Sequence, residues 1–308
     1  STFESNISLC FNKKDQFLYV LKYFDSNDED SMRQYNHEIK FYKTHNQQNP
    51  FILKFYGETK AFDYCIIIVE YIEGQTLLEY INDQKGKISK NQKYCFILEI
   101  MCAIEYLHMN NIIYRDLKSD NIMIDNNNHA ILIDFDHAKE IDDNVMTGDI
   151  GSPNYSSPEQ LSSNEYSIKT DIYSIGKIIN FIITEKQLLK AINKNDSNFE
   201  ESIECPENYK EIYNIYKLCF DYSPELRPCI SLLFNNIFNI LIQTKNIDNY
   251  KSFYANIIDQ REKLFNKNIK KENISKDIHY LAYFLGMQYY KKVIYHFNIE
   301  KSIHYLTI

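Results

Sequence analysis

The 308-residue chain contains no tryptophan, only seven glycines and six prolines, and no glycine at all before Gly57. So little Gly and Pro excludes a collagen-like or low-complexity chain. Long apolar runs are missing too. The longest, Cys65–Val69 and Ile178–Ile183, fall far short of the ~18–20 residues a membrane helix needs. They have the size of strands or core helices. Basic excess is absent: 34 Lys+Arg stand against 42 Asp+Glu, a formal net charge of −8. That balance argues against a nucleic-acid partner, which requires a basic surface. The cysteines (Cys10, Cys65, Cys95, Cys102, Cys205, Cys219 and Cys229) form no CxxC pair, excluding a zinc or disulfide framework. They read as reduced thiols of a cytoplasmic protein. The opening is polar and mixed rather than a secretory leader. A start at Ser1 without Met is expected of a fragment.

What is present belongs to an ordinary globular chain, 44% hydrophobic and 25% charged. Its length suits one two-lobed domain with an extension, or two modest domains. Phe17–Phe24 and Tyr64–Tyr71 are rich in β-branched and aromatic residues and predict strands. Between them Ser31–Thr44 reads as a helix. Ser89–Met109 carries apolar residues near helical spacing behind a Ser89 cap, and Ile168–Thr184 predicts a buried helix. Ile122–Ile124 and Ala130–Ile133 predict a small hairpin. A β-rich part followed by a helical part is an α+β pattern.

The chemistry concentrates in Tyr114-Arg-Asp-Leu-Lys-Ser-Asp-Asn121, followed by Asp134-Phe-Asp136. Phosphoryl transfer needs an acceptor for a hydroxyl proton, oxygen ligands for a metal, and a cation near the developing charge. Asp116 suits the first role, Asn121 and Asp134 the second, and Lys118 the third. One carboxylate and one amide oxygen satisfy Mg²⁺, which keeps most of its waters.

At these residues the sequence resembles the eukaryotic-type serine/threonine protein kinases, whose catalytic-loop pattern appears with Tyr114 in place of histidine. The resemblance implies a two-lobed kinase fold over 1–243, with a small β-rich lobe to about 73 and a larger helical lobe from about 74. It also implies ATP and Mg²⁺ as ligands and protein hydroxyls as substrate. Lys22 matches the lysine that holds the α- and β-phosphates, and Glu38 its helix partner. Val69 matches the gatekeeper, with Glu70, Tyr71 and Ile72 as the hinge that meets adenine. Gly151–Glu159 is similar to the end of the activation segment, and Ser152 would line the substrate pocket. Asp171 matches the aspartate that anchors the catalytic loop, and Arg227 the arginine that pairs with Glu159. Arg115 would bind a phosphorylated activation-segment residue, with Thr147 the best-placed hydroxyl. Lys118 and the Ser152-Pro-Asn-Tyr155 segment favour serine/threonine over tyrosine specificity, and the general pattern resembles the tyrosine-kinase-like group of serine/threonine kinases.

The chain departs from the family twice. The glycine-rich phosphate loop would fall near Ser1–Ile7, where no glycine stands and Glu4 carries a charge like that of the phosphates. Asp136 replaces the glycine that follows Phe135. The alternative reading is therefore a pseudokinase, an ATP-binding or scaffolding module on the same fold.

Residues 244–308 lie beyond the resemblance. From 246 on they carry ten Lys+Arg and six Asp+Glu, against −12 for the remainder. Tyr250, Phe253, Tyr254, Ile257 and Ile258 form one apolar helical face. Ala282–Tyr290 with Ile299–Leu306 resembles a hairpin of a Sel-one-like repeat. Such repeats imply a protein partner, and the alternative is a plain helical appendage.

Overall fold

The computed structural model describes residues 6–45, 49–141, 152, 154–163, 166–188, 203, 205–243 and 261. The N-terminal part builds a four-stranded antiparallel sheet of order β1-β2-β4-β3, formed by β1 (Ile7–Asn12), β2 (Phe17–Asp25), β3 (Phe55–Ala61) and β4 (Tyr64–Glu70). Strands β2 and β4 match the sequence expectation closely. Strands β1 and β3 were not read as strands. Each lies at an edge with one face open, and each is defined by its pairing to an inner strand.

Helix α1 (Glu29–Thr44) starts two residues before the predicted Ser31. Asp28 is the cap, its carboxylate accepting from the Ser31 amide at 2.9 Å, and Glu29 and Asp30 complement the positive end of the helix dipole. The Ser31 hydroxyl is used elsewhere, accepting from the Asp25 amide at 2.9 Å. Helix α1 packs Tyr35, Ile39 and Tyr42 inward, against the sheet and the top of the second lobe.

The second lobe is built around α3 (Lys90–Met109), capped by Ser89 as predicted and buried on all sides from Lys93 to Leu107. Before it come β5 (Gly74–Thr76) and α2 (Leu77–Asp83), whose Thr76–Glu79 capping box satisfies the first turn. After it come β6 (Ile112–Ile113), β7 (Ile122–Asp125), β8 (Ala130–Leu132) and β9 (Lys139–Glu140). Strands β7 and β8 form the predicted hairpin, in register Ile122↔Leu132, and β5 joins its open edge. A side chain at Gly74 would meet the Ile124 carbonyl oxygen at 2.0 Å, so only glycine permits that edge to close.

Among the described residues the lobe continues with α4 (Pro158–Ser163), α5 (Ile168–Thr184), α6 (Lys210–Tyr216) and α7 (Ile230–Gln243). Helix α5 has the predicted limits and is capped by Ser167. It lies beneath the loop Tyr114–Asn121, with Gly176 against Cys219 and Phe220. Among the described residues no helix is long and apolar enough to cross a membrane.

Candidate active site

Helix α3 ends at Met109, and β6 delivers the chain into the loop Tyr114–Asn121. Asp171, buried in the first turn of α5, holds that loop from below. Its carboxylate accepts from the Tyr114 and Arg115 amides, both at 2.9 Å, and lies 2.8 Å from His108 Nε2. Three partners on one buried carboxylate fix the backbone just ahead of Asp116. Arg115 follows with φ 71°, and Asp134 takes φ 65° at the far side of the site. Both non-glycine residues hold left-handed backbone, at a cost of about 1–2 kcal/mol each.

Asp116 is the centre of the arrangement. One carboxylate oxygen lies 2.6 Å from Lys118 Nζ and accepts from Asn121 Nδ2 at 3.0 Å. The other accepts from the Ser152 amide and hydroxyl, at 3.1 and 3.0 Å. Asn121 Nδ2 also donates to the Asp116 carbonyl at 3.0 Å. With its nitrogen committed to Asp116, the Asn121 side chain offers its oxygen as a ligand. Burial would pull the Lys118 ammonium down, but its bond to Asp116 holds it above its ordinary range.

Lys22 extends from β2, and its Nζ lies 2.6 Å from Glu38 Oε1 on α1 and 3.5 Å from Asp134 Oδ1. This contact joins the two lobes. Burial opposes the Lys22 charge, and Glu38, Asp134 and Asp136 together outweigh it, so the lysine stays protonated. Asp134 is about one-third exposed, as an oxygen ligand open to a cation should be. Its neighbour Phe135 is fully buried, stacked on Phe41 at 4.2 Å and edge-on to Tyr114 at 5.6 Å. Tyr42 continues the column to Phe55, and the Tyr114 hydroxyl donates to the Ile133 carbonyl. Burial, then the charge of Asp134, push the Asp136 carboxyl up to about 6.

The residues expected to hold adenine line the exit of β4. Val69 is buried opposite Val20, Glu70 pairs with Tyr19 and takes the Lys54 carbonyl with its amide, and Ile72 packs against the core. Sequence reasoning missed Ile7 and Val20. The register Ile7↔Lys22 and the period of two put both on the Lys22 face of the sheet, and Ile7 is half-exposed there. Their signal was alternation along β1 and β2.

Arg227 is buried and closes Nη1 and Nη2 on the two Glu159 oxygens, at 2.6 and 2.8 Å. Arg115 is likewise buried, its Nε donating to the His137 carbonyl at 2.6 Å and its guanidinium over the Tyr166 ring. Thr147, Glu4 and the repeat-like segments of the C-terminal part lie outside the described residues.

A lysine–glutamate pair within the N-terminal lobe, a loop aspartate with lysine and asparagine, and a second aspartate in front of a buried phenylalanine stand together around one cleft. The family profile described as protein kinase domain matches residues 4–239. The chain belongs to the protein kinase domain family. Among similar proteins are Protein kinase C-like 1B of Caenorhabditis elegans, 30% identical over 151 residues, and a cAMP-dependent protein kinase, catalytic subunit-like, of the same organism, 28% identical over 201. A third is Serine/threonine-protein kinase Nek6 of Oryza sativa subsp. japonica, 29% identical over 187 residues. These alignments cover 48%, 62% and 58% of this chain and 21%, 48% and 35% of the relatives. The chain thus spans less than half the length of each of these proteins.

Proposed function

We propose that the chain is an ATP-dependent protein kinase that phosphorylates serine and threonine hydroxyls. The observation that carries this reading is the Asp116 carboxylate, held on one side by Lys118 and Asn121 and on the other by Ser152. A substrate hydroxyl placed against Asp116 gives up its proton to the carboxylate. Its oxygen forms a bond to the γ-phosphorus as the bond to the β–γ bridging oxygen breaks and ADP leaves. Lys118 balances charge on the transferred group, and Lys22, oriented by Glu38, holds the α- and β-phosphates. Asn121 and Asp134 fit Mg²⁺ as amide and carboxylate oxygen ligands; the ion neutralises phosphate charge. Ile7, Val20, Val69 and Ile72 form the apolar walls of the adenine site, with the Glu70–Ile72 backbone as its polar edge.

The names of the similar proteins support serine/threonine specificity, as does Lys118 two residues after Asp116. The seven cysteines are free thiols, which suits a cytoplasmic setting. Phosphorylation of Thr147 is proposed to raise activity by engaging Arg115; a Thr147→Ala protein of undiminished activity would remove that part. One observation favours the pseudokinase reading: Asp136 places an extra carboxyl beside Asp134, where the family has glycine. The deciding experiment is Mg²⁺-dependent transfer of labelled phosphate from ATP to a generic protein, followed by phosphoamino-acid analysis. Phosphoserine or phosphothreonine that vanishes with Asp116→Asn is the expected result. No transfer from folded wild-type protein overturns it in favour of the pseudokinase.

A further inference from the structure

Glu105 lies in the second half of α3, within the helical core, and has no exposed surface. A carboxylate so placed must be met by a counter-charge and by donors for its lone pairs. The cation that meets it comes from beyond residue 239, where the kinase family match ends. Arg261 Nε donates to Glu105 Oε2 at 2.6 Å, and Arg261 Nη2 donates to Oε1 at 2.7 Å. Two neighbours on α7 complete the fit: Ser231 Oγ donates to Glu105 Oε1 at 2.6 Å, and Asn235 Oδ1 accepts from Arg261 Nη1 at 3.1 Å. The guanidinium carbon lies 3.8 Å from the centroid of the Phe234 ring, and Arg261 is 1% exposed.

We propose that α3 and α7 form a guanidinium socket on the helical lobe, and that the chain after α7 is anchored into the catalytic domain by Arg261. Three features argue for a built site rather than a chance contact. The two-pronged geometry matches the planar fork of arginine and would not accept a lysine ammonium equally well. Glu105, Arg261 and Asn235 are buried and Ser231 is partly so, so the pair is not screened by solvent as a surface ion pair is. The socket is also incomplete without the extension, because Glu105 would keep the Ser231 hydroxyl and lose its cation. The catalytic unit therefore ends after Arg261 rather than at the last residue of α7. His108, which meets Asp171, lies one turn further along α3 from the socket, so the anchor steadies the helix end from which the catalytic loop departs.

The test is a double-mutant cycle on the full chain, read by thermal unfolding, with Arg261→Met, Arg261→Lys, Glu105→Leu and the Glu105→Leu/Arg261→Met double variant. Arg261→Met should lower the unfolding midpoint by on the order of 10 °C, because it leaves a buried carboxylate without its cation. Arg261→Lys should lose most of the same amount. The double variant should recover more than half of that loss, since an apolar pair fills the socket without stranding a charge. If Arg261→Met does not fold, a folded double variant near the wild-type midpoint supports the anchor and an unfolded one overturns it. A midpoint for Arg261→Met within about 2 °C of wild type, or losses that simply add in the double variant, also overturns it. The readout is stability alone, so it stands whether or not phosphate transfer is found.

Discussion

Lys22 Nζ sits 2.6 Å from Glu38 Oε1, tying strand β2 to helix α1 above the cleft. Glu38 is buried and also accepts from the Tyr42 hydroxyl at 3.2 Å, while the Lys22 side chain retains some exposure toward Asp134. The pair therefore fixes the helix and presents one ammonium to the cleft. Replacing Lys22 by Met should reduce kcat/KM about 10²–10³-fold, the range for losing one preorganised cation or donor. Circular dichroism should show the fold retained, and ATP should no longer raise the melting temperature. A Lys22→Met protein with full activity would dissociate this pair from catalysis.

Removing the amide oxygen at Asn121 takes away one of two proposed metal ligands and the clamp on Asp116. Asn121→Ala should raise the Mg²⁺ concentration needed for half-maximal transfer by about tenfold, the size of effect seen when the surroundings of a bound metal are disturbed. Chelation with EDTA should abolish transfer by the wild-type protein. An unchanged Mg²⁺ dependence in the variant would rule Asn121 out as a ligand.

Arg227 and Glu159 make a bidentate pair in which the arginine is wholly enclosed, with Arg227 also donating to the Lys169 and Asp221 carbonyls. Arg227→Met strips α4 of its tie to the base of α5 and leaves Glu159 without its cation. The expected loss is about 3 kcal/mol, measured by urea unfolding. A loss below about 0.5 kcal/mol would mean that the pair behaves like an exposed one.

Glu99 is buried in α3, 2.6 Å from His129 Nδ1 and accepting from the Ala130 amide at 2.7 Å. Burial pushes its carboxyl up to about 7, and the hydrogen bond to Glu99 raises the His129 imidazole above 6.5. Both groups hold protons more tightly folded than unfolded. The Glu99 contribution is therefore fully present below its unfolded value, 4.5, and is lost as pH rises through about 7. The decline should be on the order of 2 kcal/mol between pH 5 and 8. Melting temperatures at pH 5, 6, 7 and 8 should fall less steeply in Glu99→Gln than in wild type; parallel curves would exclude the pair as the source.

Much of the fold was legible because its signals are local. Ser89 before a periodic apolar run marks the start of α3, and apolar residues recurring from Ile168 to Ile183 mark α5, which Ser167 caps. The hairpin of β7 and β8 shows as two apolar pieces around an Asn-rich turn. Helix α1 was misjudged at its start, since Asp28 and Ser31 are both good caps and only the Asp25 amide decides which is free to serve. Strands β1 and β3 escaped because a half-exposed edge strand is defined by its pairing to an inner strand rather than by a burial pattern of its own.

The sequence by itself determined the family: the order and spacing of Lys22, Glu38, Asp116, Lys118, Asn121 and Asp134 match the protein kinase domain. Residue type is enough there, because a carboxylate, an amide and an ammonium have fixed donor and acceptor capacities. Only the tertiary structure decided which polar groups meet. Ser152 on Asp116, His108 on Asp171 and Arg261 on Glu105 join residues 36, 63 and 156 positions apart. Burial demands a partner for each of these groups, but the partner's identity comes from how α3, α5 and α7 close on one another.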